Sequence, residues 1–119
     1  MKIAIATPRP LELEAFLLGL SEAGAETHTV LTGADALELA KTQPPDLMVV
    51  DGLPDIDPLP LVSKLMAANA MVNTAVLMDM DPDEFHEESE GLGILMQLPL
   101  APTADKAKEL AELLRGIIG

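Results

Sequence analysis

The sequence predicts an α/β domain built on a parallel sheet. Three observations carry this. Short apolar runs alternate strictly with helical periods along all 119 residues. Each crossover is long enough to contain a helix. The third run, Leu47 to Val50, is continuously apolar, as in a strand covered on both faces.

Lys2 to Ala6 reads as the first strand. Leu13, Phe16, Leu17 and Leu20 follow at i, i+3, i+4 and i+7, one face of a helix that Gly24 closes, with Glu12, Gly19 and Glu22 on the other side. Thr27 to Thr32 is β-branched and reads as the second strand. Gly33 to Thr42 forms an Ala- and Leu-rich helix stopped by Pro44-Pro45. After the third strand, Pro60 to Asn69 places Leu61, Val62, Leu65 and Met66 at helical spacing, and Thr74 to Met78 is the fourth strand. Asp81, Pro82 and Glu84 make a helix start with a capping box, and that helix runs to about Glu90 with Gly91 after it. Ile94 to Leu98 is the fifth strand. Thr103 caps the last helix, whose inner face is Ala107, Leu110, Ala111, Leu114, Ile117 and Ile118. No linker or repeat divides the chain, so residues 1–119 read as one domain, on its own or at the front of a longer protein.

Composition narrows the function. The net charge of −13 argues against the phosphate backbone of nucleic acids and against anionic membrane surfaces. Two Phe with no Tyr or Trp leave no stacking platform for bases or sugars. Without cysteine there is no disulfide, thiolate metal site or Cys nucleophile, which fits a cytoplasmic protein. No 18-residue apolar run exists, and the N-terminal MKIAIATPRP has too short an apolar stretch for a signal peptide. His28 and His86 are isolated and read as surface residues. Met66, Met71, Met78, Met80 and Met96 read as core filler in an aromatic-poor interior. Ser63 and Ser89 have no adjacent base, so the chain is not expected to be an enzyme.

In such folds functional residues sit at the carboxyl ends of strands. Here those ends include Thr7-Pro8, Asp51-Gly52, Asp79-Met80 and Leu98-Pro99. The segments Gly33-Ala-Asp-Ala-Leu37 and Pro45-Asp-Leu-Met-Val-Val-Asp51, with Pro99, resemble the receiver domain of bacterial response regulators over the whole chain. The resemblance implies a three-layer, flavodoxin-like and CheY-like fold with strand order 2-1-3-4-5. It places Asp51 where the family's aspartate accepts a phosphoryl group from a histidine kinase. It also implies that the fourth helix, fifth strand and fifth helix form a dimer and output face.

The family's active site is otherwise poorly matched. Thr7 and Pro8 stand where two Mg²⁺-binding acids are expected, Asp79 where a Ser or Thr is expected, and Leu98 where a lysine is expected. Phosphoryl transfer needs neutralisation of a developing polyanion, which these changes remove. Neighbouring strands would also set Asp79 beside Asp51, where at roughly 5 Å and an effective dielectric of about 20 like charges cost about 3 kcal/mol. The expectation is an atypical receiver-like domain, or pseudo-receiver, independent of phosphorylation and of any cofactor. It would act through a protein partner, a homodimer or a fused output domain. The alternative is a genuine phosphoacceptor using Mg²⁺ with unusual ligands. Asp51 and Asp79, joined by Asp55 or Asp57, form a candidate cation site. The uncharged stretch Leu92 to Pro102 and the acidic fourth helix supply a candidate interaction surface: Phe85, Leu92, Ile94, Met96, Leu98 and Leu100.

Overall fold

Five strands and five helices alternate as expected in a computed structural model that describes all 119 residues. The strands are β1 (Lys2–Ala6), β2 (Glu26–Val30), β3 (Leu47–Val50), β4 (Asn73–Leu77) and β5 (Met96–Leu98). The helices are α1 (Glu14–Glu22), α2 (Gly33–Thr42), α3 (Pro58–Ala68), α4 (Pro82–Glu88) and α5 (Ala104–Ile118), with a 3-10 turn at Pro10–Leu13 before α1. All pairings are parallel and the order is β2-β1-β3-β4-β5.

The two-residue period of the strands divides the core into two layers. Ile3, Ile5, Leu47, Val49, Ala75 and Leu77 face α1 and α5, where they meet Phe16, Leu20, Leu110 and Leu114. Ala4, Ala6, Met48, Val50 and Val76 face the other side, against Ala36 and Ala40 of α2, Leu61 and Leu65 of α3, and Phe85 of α4. Ala4 and Ala6 of β1 and Ala36 and Ala40 of α2 keep this layer free of bulk. Gly19 does the same for α1 and α5: a Cβ there would lie 2.8 Å from backbone atoms of Ala104. Gly19 therefore sits in the α1–α5 seam and not on the outer side of α1.

Local chemistry explains the shifted boundaries. Thr32 does not extend β2; its hydroxyl accepts from the Asp35 N–H and caps α2. Helix α3 starts two residues early because Pro58 suits the first helical position and Pro60 still lies within the first turn, where no N–H is needed. Asp81 caps α4 by accepting from Asp83 and Glu84 N–H. Gly91 and Gly93 both have positive φ, and this left-handed kink delays β5 until Met96. Helix α5 is buried at Ala107, Leu110, Ala111 and Leu114, but Ile117 and Ile118 are exposed because the helix runs past the layer it covers. Met66 and Met71 are exposed as well and fill no core space, whereas Met48 is fully buried.

Candidate functional site

Register builds the site. Ala6 pairs with Val50, so the next residues, Thr7 and Asp51, stand side by side at the strand ends. Both are odd-numbered and so point to the α1/α5 side of the sheet, like Ile5 and Val49. Both are buried, Thr7 fully and Asp51 with 4% of its surface exposed. A buried carboxylate needs donors and a counter-charge. Asp51 has them. The Thr7 hydroxyl donates to Oδ2 at 2.8 Å, and the Gly52 N–H donates to Oδ1 at 2.8 Å.

The remaining donors come from Arg9, two residues beyond Thr7. Its Nε donates to Asp51 Oδ2 at 2.8 Å and its Nη2 to Oδ1 at 3.3 Å, so the guanidinium grips both carboxylate oxygens. The same Nη2 donates to the Leu100 carbonyl at 2.6 Å, and Nη1 lies 3.5 Å from Glu12 Oε2. The Arg9 N–H donates to the Thr7 hydroxyl oxygen at 3.1 Å, which turns the loop back over the carboxylate. Pro8 and Pro10 on either side restrict the loop further. The hydrogen bonds to Asp51 hold the Arg9 pKa above its ordinary value, against the opposing effect of burial. No buried side-chain polar atom in the chain lacks a partner.

The arrangement is a cation already in place. An arginine from the β1–α1 loop covers Asp51 and ties it to the β5–α5 loop through Leu100. The sequence reading passed over Arg9, whose only local signal is its position within TPRP at a strand end.

The other expected site residues do not gather around Asp51. Val50 pairs with Val76, so Leu77 lies beside Asp51, and Asp79 lies two residues further on, roughly 6–7 Å along the strand direction. Asp79 is exposed, so the expected repulsion with Asp51 does not arise. Asp55 instead accepts from the N–H groups of Gly33 at 2.8 Å and Ala34 at 3.1 Å, binding the β3–α3 loop to the start of α2. Those bonds, led by the one from Gly33, lower its pKa below the ordinary carboxylate value. Asp57 precedes α3 without a capping bond. No group of three or more His, Cys, Asp or Glu side chains is placed to hold a metal ion, so the Asp51/Asp79/Asp55/Asp57 cation site is not assembled.

The candidate interaction surface divides. Phe85 and Leu98 are core residues, packed under α4 and against the α1/α5 layer, and are not available as surface. Leu92, Ile94 and Met96 are half-buried and Leu100 is exposed. The Gln97 side chain donates to the carbonyls of Met78 and Met80, pinning the β4–α4 loop. His28 and His86 are both exposed.

No family model matches the chain, and no curated protein matches it. Solved structures do. The receiver domain of a Francisella response regulator superposes with a TM-score of 0.86 at 22% identity, covering 99% of this chain and 98% of that one. The fold is that of a response regulator receiver. The receiver domain of AraT from Geobacillus stearothermophilus matches with a TM-score of 0.83 at 21% identity over 98% of this chain and 94% of that one. The chemotaxis response regulator CheY4 of Vibrio cholerae matches with a TM-score of 0.81 at 16% identity over 95% and 97%. Within this receiver fold, Asp51 stands at the end of the central strand with Arg9 bound to it. No helix is long and apolar enough to cross a membrane.

Proposed function

We propose that this chain is a receiver-like signalling domain that works without phosphorylation, through contact with a protein partner. The observation that carries the reading is the Arg9 guanidinium on both oxygens of buried Asp51. An acceptor aspartate must offer one oxygen to the incoming phosphorus and have a divalent cation nearby. Here both oxygens are engaged by donors of the chain itself, and Thr7 and Pro8 stand where acids that hold Mg²⁺ are expected.

Arg9 supplies the positive charge that a metal ion would bring, but it is covalently part of the loop and cannot come and go. The domain is then held in one state, with the β1–α1, β3–α3 and β5–α5 loops joined at Asp51. It carries no catalytic turnover and acts in the cytoplasm as an interaction module, alone, as a homodimer or beside an output domain. Incubation with a small phosphodonor and Mg²⁺, followed by intact-mass measurement, tests this. The unchanged mass is expected. A stoichiometric phosphoryl adduct lost in Asp51→Asn would instead identify a working acceptor.

A further inference from the structure

The two edges of the sheet differ. At one edge β5 is three residues long. At the other, β2 is five residues long, and Thr27, Thr29 and Val30 in it are β-branched. Exposed edges are normally guarded by a short strand, a lysine, a proline or a bulge. Glu26–Val30 has no lysine, proline or glycine and pairs with β1 residue for residue. Glu26, Thr27 and His28 are exposed and Thr29 is half-buried. On the α2 side, a hollow lined by Glu26, His28, Leu39 and Gln43 leaves the first half of the strand uncovered.

Register fixes where the backbone groups of β2 point. The Glu26 N–H donates to the Met1 carbonyl, and the Val30 carbonyl accepts from the Thr7 N–H. Alternate residues of a strand bond to opposite neighbours. Glu26, His28 and Val30 therefore turn their backbone groups towards β1. Thr27 and Thr29 turn theirs away from the sheet, each with an N–H and a carbonyl open to a further strand.

This pattern is its own complement. An antiparallel second β2, with a two-fold axis at His28, sets Thr27 opposite Thr29 of the other copy and Thr29 opposite Thr27. Both are hydrogen-bonded pairs, so every outward N–H and carbonyl of the two threonines finds a partner. The two His28 residues form the non-hydrogen-bonded pair between them. Cross-strand Thr–Thr contacts are favourable. The net charge of −13 opposes association in general, but this strand carries one acid. Glu26 lies opposite Val30 of the other copy, diagonal to its His28 and roughly 13 Å along the strands from its Glu26. We infer that β2 pairs edge to edge with β2 of a second copy, joining the two sheets into one.

Two five-residue strands bury less than the roughly 1,200 Å² at which stable interfaces begin, so the dimer is weak, with a Kd on the order of 0.1 mM. It leaves β5, at the opposite edge, free for a different partner.

The proposal rests on the reading of the chain as an interaction module. The test is sedimentation equilibrium with amide NMR on the wild type, from about 10 μM to 1 mM, a range that brackets the expected Kd. The mass should rise from monomer towards dimer, with concentration-dependent shifts centred on Thr27 to Thr29. Thr27→Pro removes an N–H that β1 does not use; it should weaken dimerisation at least about tenfold and keep the circular dichroism of the wild type. The chain has no cysteine, so single cysteines report the register. His28→Cys places two thiols across the axis, close enough for a disulfide, and should cross-link on mild oxidation. Glu26→Cys places them roughly 13 Å apart and should not.

A monomer at every concentration overturns the proposal. So does a dimer that survives in folded Thr27→Pro, which would lie on another face, or equal cross-linking of the two cysteine variants. A monomer whose Thr27 and Thr29 amides shift only with an unrelated extended valine–threonine peptide gives the edge to a partner's strand and also overturns it. A phosphoryl adduct on Asp51 would count against the phosphorylation-independent reading and would leave the dimer result as it stands.

Discussion

Replacing Arg9 with alanine removes two charge-assisted donors from a carboxylate that stays buried. Asp51 keeps only the Thr7 hydroxyl and the Gly52 N–H. A hydrogen bond to a charged group contributes about 1.5–3 kcal/mol, and stranding a buried ion costs about 3–5 kcal/mol. Arg9 keeps 26% of its side chain exposed, and water can enter where it leaves, which places the loss at the lower end. The expected destabilisation is about 2–3 kcal/mol, or about 10 °C in Tm for a chain of this length. With no Trp or Tyr, unfolding is followed by far-ultraviolet circular dichroism. Millimolar Mg²⁺ should restore part of the loss in Arg9→Ala and do nothing for the wild type, because the vacated space offers the carboxylate and the Leu100 carbonyl. A Tm within about 2 °C of wild type, with no Mg²⁺ effect, would refute the reasoning: the carboxylate would then be solvated and the arginine ornamental.

Three further outcomes follow from the same geometry. Thr7→Val keeps the shape and removes the hydroxyl donor to Asp51; it should cost about 1–2 kcal/mol by urea denaturation, with little change in slope. Gly19→Ala gains up to about 1 kcal/mol of helix propensity but drives a methyl group into the backbone of Ala104, and overpacking of about 1–3 kcal/mol should win, giving a net loss of stability. Acid should loosen one specific joint. The pKa of Asp55 is lowered in the folded chain, so its contribution is present above its unfolded value of 3.8 and disappears as pH falls through the lower folded value. Reduced protection against hydrogen exchange at Gly33 and Ala34, relative to the intrinsic rate, as pH falls through the lowered folded value is the expected sign, and it is absent from Asp55→Asn because that variant has already lost the carboxylate.

The layout of the fold was legible because it rests on local signals. Apolar runs, helical periods and proline stops place α2 and β3 at their observed bounds, and Thr103 caps α5 as its position requires. The site was legible only in part. Asp51 stands out because an apolar strand ends on it. Arg9 does not, because its contact with Asp51 spans 42 residues and needs the β1–β3 register before it can be seen. The expected Asp51–Asp79 contact fails for a related reason. Placing β4 one residue late, at Thr74 to Met78, moves Asp79 towards the sheet end, whereas the observed pairing stops at Leu77. Phe85, the one large apolar residue of an acidic helix, reads as part of an interaction surface, yet it is the side chain by which α4 enters the core. Burial of that kind depends on which way a short helix is turned, and a seven-residue helix with one large apolar side chain leaves little pattern to read.

The central claim is that Arg9 already fills the place a cation would take at Asp51. The most direct measurement is an amide NMR titration of the wild type with Mg²⁺ and then beryllofluoride, a phosphoryl mimic. The account predicts no saturable shifts at Thr7, Asp51, Gly52 or Leu100 at millimolar concentrations. Saturable shifts centred on Asp51, spreading to Leu92–Pro102 and lost in Asp51→Asn, would contradict it and make this domain a working switch.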